Sequence, residues 1–308
     1  MNTSPVFLTS PRYVLGEIEE PYTAIEDLEA RAARYAIPVA PRTWGWGSFF
    51  RTERTPVELA VASGNATLDA SGAPRESVDG LIVCTSSFPA HVDDHAGFLG
   101  AVLDGLGLTA VAFACGMTLN RCNNLLAALH LARSLVQSGN HRRLLVVTAD
   151  RIVDEAVRLE KFALFSDGAA SCLVGAAEQG PDTFAMVASA SAQDAGVLGV
   201  RDQIDSRLAA AVNEELERVT GVPREKVTAL LPANLVRPLV TMKERQAGFS
   251  PAQLRIGNIE RLGHCFAADP LINLVDLVAS GEGEIDGLYL LASSVPGARH
   301  GVLLRKVS

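Results

Sequence analysis

Short apolar runs alternate with longer stretches in which apolar residues recur at helical spacing, the signature of a layered α/β protein. The runs at 80–84, 109–114, 143–149, 169–175, 184–190, 227–231, 287–293 and 301–307 read as strands. Helical spacing covers roughly 56–71, 95–106, 116–138, 203–219, 234–247 and 270–280. The stretch from Pro38 to Arg54, with two tryptophans and several arginines in no clear period, reads as a surface loop. One segment recurs. GAPRESVDGLI at 72–82 and GVPREKVTALL at 221–231 share six of eleven residues at an offset of 149 (221 − 72). That offset predicts two related halves, 1–180 and 181–308, and it sets Cys115 against His264.

Composition narrows the class. The 308 residues are 48% hydrophobic and 20% charged, with formal net charge −8, an ordinary globular balance. No dense Lys/Arg block is present, so nucleic acid and anionic membranes are not expected partners. No apolar run is long enough to span a bilayer, and the N-terminal residues lack a basic start and apolar core. Five cysteines without a CxxC pair argue against a zinc knuckle or disulfide framework, and a reduced, cytoplasmic setting follows. His91 and His95 share one helical face, but nothing nearby completes a ligand set, so no metal and no cofactor are expected.

Cys115 follows an apolar run and precedes Gly116 and a leucine-rich helix. A thiol at a helix N-terminus is favoured as thiolate, which makes Cys115 the candidate nucleophile. Cys84, Cys122, Cys172 and Cys265 read as small apolar residues of strands or helix faces. Asp269 precedes Pro270, so it fits a helix N-cap as readily as a catalytic role.

The Cys115 context, FALFSDGAASCLVG at 162–175, LLPANLVR at 230–237 and the GH…D segment at 263–269 stand in one order. Together they resemble ketoacyl-ACP synthase III, from about residue 55 onward. The resemblance implies a five-layered thiolase-like fold with duplicated halves and a homodimer. It also implies an acyltransferase of the EC 2.3.1 type that uses acyl-CoA or an acyl carrier protein (ACP). Condensing members carry a His where Ala233 stands and an Asn where His264 stands. The departure resembles a branch with Cys, His and Asp, the last two five residues apart, that transfers acyl groups in natural-product pathways. His264 and Asp269 have that spacing, so Cys115, His264 and Asp269 are the expected triad. Gly297 takes the place of an oxyanion-hole glycine, and Asn234, Trp46, Arg51 and His91 are expected to contact substrate. The acceptor would be an alcohol, amine or carrier thiol. A decarboxylative C–C condensing enzyme and a non-catalytic partner subunit are the alternatives.

Overall fold

The computed structural model describes residues 4–109, 111–178, 180–198, 200 and 205–308. Ala110, in the expected strand 109–114, and residues 203–204, in the expected helix 203–219, lie outside the described residues.

The chain opens with β1 (Phe7–Leu15), β2 (Ile18–Pro21), α1 (Leu28–Arg34), α2 (Pro41–Trp44) and β3 (Ser48–Arg51). Next come α3 (Pro56–Ser71), β4 (Gly80–Cys84), α4 (Asp93–Leu106), β5 (Phe113–Met117), α5 (Asn124–Gln137) and β6 (Arg143–Asp150). The short β7 (Leu159–Glu160) and β8 (Ala163–Leu164) lead into β9 (Gly168–Gly175). The second part runs β10 (Phe184–Gln193), α6 (Ser206–Thr220), β11 (Ala229–Pro232), α7 (Arg237–Gln246) and α8 (Asn258–Leu262). It closes with α9 (Asp269–Ala279), β12 (Leu288–Val295) and β13 (Ala298–Lys306).

Nine strands form one mixed sheet in the order β11-β12-β13-β10-β1-β9-β6-β4-β5. Period-two alternation explains how it is covered. In β4 and β6, Leu81, Val83, Leu145 and Val147 pack on α3 and α4, whereas Ile82, Leu144 and Val146 face α5 and α9. Across those helices lie Leu231, Tyr289, Leu291 and Val302 of β11, β12 and β13. The opposite side of those strands, through Leu230, Leu290 and Leu303, packs on Val212 and Leu216 of α6. The layers run helix, strands, helix, strands, helix, both strand layers belonging to the one sheet: the fold is α/β and thiolase-like, with α5 and α9 at its centre.

The repeat noted in the sequence is a structural one. Helix α3 ends on Gly72 (φ 62°), passes a short turn at Arg75–Ser77 and enters β4. Helix α6 ends on Gly221 (φ 68°), passes Arg224–Lys226 and enters β11. Both glycines hold the left-handed conformation that closes a helix without steric strain.

Two expectations fail. The stretch from Pro38 to Arg54 is not a surface loop: it holds α2 and β3, and Trp46 (3% exposed) and Phe49 (0%) form a small core with Ile25, Leu159 and Leu164. The helix expected from residue 116 begins only at Asn124, because β5 continues through Cys115 and Gly116 to Met117.

Candidate active site

Cys115 is therefore not at a helix N-terminus. It lies mid-strand in β5, paired with Ile82, half-buried among the residues facing α5. Burial raises its thiol pKa, the reverse of activation. The cysteine at the helix start is Cys122. It sits in the turn Arg121–Asn123 that feeds α5, after a left-handed Arg121 (φ 51°). Asn124 shapes this elbow, its Oδ1 accepting from Asn120 N (3.0 Å) and its Nδ2 donating to the Thr118 carbonyl (3.3 Å). A sequence signal existed. The leucines at helical spacing begin only at Leu125, after the polar run TLNRCNN at 118–124.

Cys122 Sγ lies 3.2 Å from His264 Nε2, and on the other side of the ring His264 Nδ1 donates to Asp269 Oδ2. His264 and Asp269 are both fully buried, while Cys122 is partly open. The FALFSDGAA segment holds the histidine. His264 N donates to the Leu164 carbonyl (2.8 Å), Ser166 N donates to the His264 carbonyl (2.9 Å), and Phe165 packs on the imidazole at 5.0 Å. Gly263 (φ 66°) permits this approach, since a Cβ there would meet the Leu164 carbonyl oxygen at 2.6 Å. Asp167 of the same segment is tied to Arg158 (2.7 Å) and to Ile152 N (2.8 Å), which fixes the segment from behind.

Asp269 does not cap α9. It is itself the first helical residue, and its side chain makes no capping bond. Its oxygens accept instead from His264, from Cys265 N (2.6 Å) and from Asn234 N (2.6 Å) and Nδ2 (3.3 Å). Asn234, 1% exposed, thus holds Asp269 and is not placed as a substrate contact. Burial opposes an imidazolium, but Asp269 and Cys122 outweigh it and hold His264 up at about 10. Asp150, at the end of β6, is pushed up to about 6 by burial, against hydrogen bonds from Ser86 and Thr85.

The remaining expected contacts separate from this centre. Trp46 is core. Arg51 pairs with Glu20 (2.8 Å) and Glu155 (3.4 Å) and lies over the Phe49 ring, so its charge is already engaged. His91 is exposed on the loop before α4, where its carbonyl accepts from Asp94 N (3.1 Å). Among the described residues, no cluster of three or more His, Cys, Asp or Glu could hold a metal. Gly297 (φ 76°) forms the tight turn between β12 and β13, beside Val197 and Leu198. The offset of 149 also fails here. Left-handed Arg121 has its counterpart in left-handed Phe266 (φ 52°), a spacing of 145 (266 − 121), so Cys122 corresponds to Ala267, and the pairing of Cys115 with His264 at 149 does not carry to this bend.

The thiolase-like α/β fold thus gathers cysteine, histidine and aspartate beside a central helix. The family description for 3-oxoacyl-[acyl-carrier-protein (ACP)] synthase III matches residues 118–193, a span that includes Cys122 and begins after Cys115. The β-ketoacyl-[acyl-carrier-protein] synthase III of Aquifex aeolicus is 26% identical over 269 residues, 82% of this chain and 84% of that relative. Among solved structures, the acyltransferase ChlB3 superposes with TM-score 0.81 at 17% identity, covering 99% of this chain and 98% of that one. Acetamide-bound OleA of Xanthomonas campestris gives TM-score 0.83 at 15% identity over 99% and 100%. At such identities the two structures speak for the fold. The chain resembles 3-oxoacyl-[acyl-carrier-protein] synthase III over these spans and shares the fold of the two solved structures.

Proposed function

We propose that the protein moves an acyl group from acyl-CoA or an acyl carrier protein, through a thioester on Cys122, to an alcohol, amine or carrier thiol. The contact between Cys122 and His264, continued to Asp269, carries this reading. His264 takes the thiol proton, and Cys122 attacks the donor carbonyl and expels the donor thiol, which leaves with that proton. In the second half-reaction His264 takes the proton of the acceptor as it attacks the acyl-Cys122 carbonyl, then returns it to the departing Cys122. Asp269 keeps Nδ1 protonated and compensates the imidazolium charge throughout. The backbone N–H of Gly297 remains the proposed oxyanion donor, with that of Cys122 as its partner.

Ala233, 3% exposed, supports transfer without condensation, because a condensing site needs a second donor for the developing enolate and alanine offers none. The named likeness to a β-ketoacyl synthase keeps decarboxylative condensation as the second reading. Carbon dioxide released from a malonyl thioester would establish that alternative. We further propose a homodimer in the cytoplasm and a place in secondary metabolism. Strand β5 supports the dimer, being an edge strand with Leu119 93% exposed just beyond it.

Incubation with a panel of acyl-CoA thioesters, followed by intact mass and peptide mapping, tests the proposal. One acyl adduct is expected on Cys122, retained in Cys115→Ala and lost in Cys122→Ala. An adduct on Cys115 would return the nucleophile to the strand, and no adduct at all would favour a non-catalytic partner subunit.

A further inference from the structure

The elbow at Cys122 is an expensive conformation. Arg121 is left-handed without being glycine, a conformation that side-chain-bearing residues adopt only under constraint, so neighbouring structure must hold it. Local bonds account for part of the hold: Arg121 N to the Thr118 carbonyl (3.2 Å) and Asn123 N to the Asn120 carbonyl (2.9 Å). Asn124 adds its bonds to Asn120 N and the Thr118 carbonyl, and the Arg121 guanidinium donates to the Leu198 carbonyl (3.2 Å). A further contact comes from far along the chain. Ser293 Oγ in β12 donates to the carbonyl oxygen of Cys122 at 3.0 Å.

The placement of Ser293 is specific. On β12, Tyr289 and Leu291 point into the apolar layer around α5 and α9, and Ser293 continues that face. A fully buried hydroxyl on an apolar face is unfavourable unless bonded, and the Cys122 carbonyl supplies the partner. The next residue, Ser294, points to the opposite face and is gripped there. Lys243 Nζ and Arg299 donate to its Oγ, each at 3.0 Å, and Glu244 binds Lys243 at 2.8 Å and Arg299 at 2.7 Å. All four side chains are buried, so β12 is pinned from behind at the very residue beside Ser293.

We propose that Ser293 is a positioning residue that holds the Cys122 elbow so that the thiol meets His264. The proposal rests on Cys122 as nucleophile, and its test separates the two claims. Iodoacetamide labelling is followed at each cysteine by peptide mapping in the wild type, Ser293→Ala and Ser293→Thr, with thermal midpoints measured alongside. Cys115 in β5 is the internal reference. Ser293→Ala should slow labelling of Cys122 about tenfold, as displacement by a fraction of an ångström would. Ser293→Thr, which keeps the hydroxyl, should restore the rate to within about threefold, and Cys115 should label equally in all three. A wild-type rate in Ser293→Ala, or a Thr variant as slow as the Ala variant, overturns the positioning role and leaves Cys122 as nucleophile. Wild-type Cys122 labelling no faster than Cys115 overturns the nucleophile, and this proposal with it.

Discussion

His264 carries two opposed demands. A fully buried imidazole prefers neutrality, yet Asp269 on one nitrogen and Cys122 on the other hold its pKa up at about 10 against an ordinary 6.5. A raised folded-state value means stability that is fully present below about pH 6.5 and lost as pH climbs through about 10. Asp269→Asn removes the principal support. Urea midpoints of the wild type should therefore fall more steeply between pH 7 and 10 than those of the variant. The same variant should form its acyl adduct at least about 10³-fold more slowly, because the tautomer is no longer enforced. Equal slopes and equal rates would show that Asp269 does not act on His264. Ala233 belongs at this scale too: the proposal of handover over bond formation at carbon rests on this one buried side chain, which offers no hydrogen-bond donor.

The hairpin joining β12 to β13 shows how one element constrains another. A Cβ on Gly297 would lie 2.7 Å from Leu198 N, a backbone atom that cannot swing aside, and the φ of 76° is itself unfavourable for other residues. Gly297→Ala should destabilise the fold by about 2 kcal/mol, read as a lowered urea midpoint at unchanged slope. No change would mean that the loop carrying Leu198 yields freely. Elements of this kind were unevenly legible in the sequence. Helix α3 was readable to the residue, because Thr55 and Glu58 form a capping box and Gly72 closes it. The start of α5 was not, because Cys115 and Gly116 can end a strand or continue one, and pairing with β4 decided the matter. Histidine and aspartate at a spacing of five could be picked out, whereas the choice between Cys115 and Cys122 required knowing where the strand stopped. Trp46 was misplaced for a related reason: an aperiodic stretch gives no face to assign, and tertiary contacts, among them those with Ile25, Leu159 and Leu164, bury it.

Across the whole molecule, the buried group Lys243, Glu244 and Arg299 links α7 to β13 with one anion between two cations. The two cations hold the Glu244 carboxyl down at about 2 despite its burial. That support is present above the ordinary carboxylate range near 4.5 and is lost as pH falls through about 2. Glu244→Gln leaves two buried cations facing each other, and should destabilise the protein by about 3–5 kcal/mol at neutral pH. Urea unfolding measures it, and a loss under about 1 kcal/mol would show that the cations find other partners. Behind β12 this cluster lies wholly within the second part of the chain, whereas the Ser293 side of the strand meets the first part at the Cys122 carbonyl.

The pairing of left-handed Arg121 with left-handed Phe266 has a consequence for how activity can fail. The two bends are copies, yet one presents a thiol and the other an inert Ala267, while the base and its carboxylate stand beside the inert copy. The proposed nucleophile and its proposed base therefore belong to separate bends that meet at the contact between Cys122 and His264. The thiol's reactivity works as a gauge of their alignment. On the proposed mechanism, loosening α9 would silence Cys122 through His264 and Asp269 although the sequence of its own elbow is unchanged.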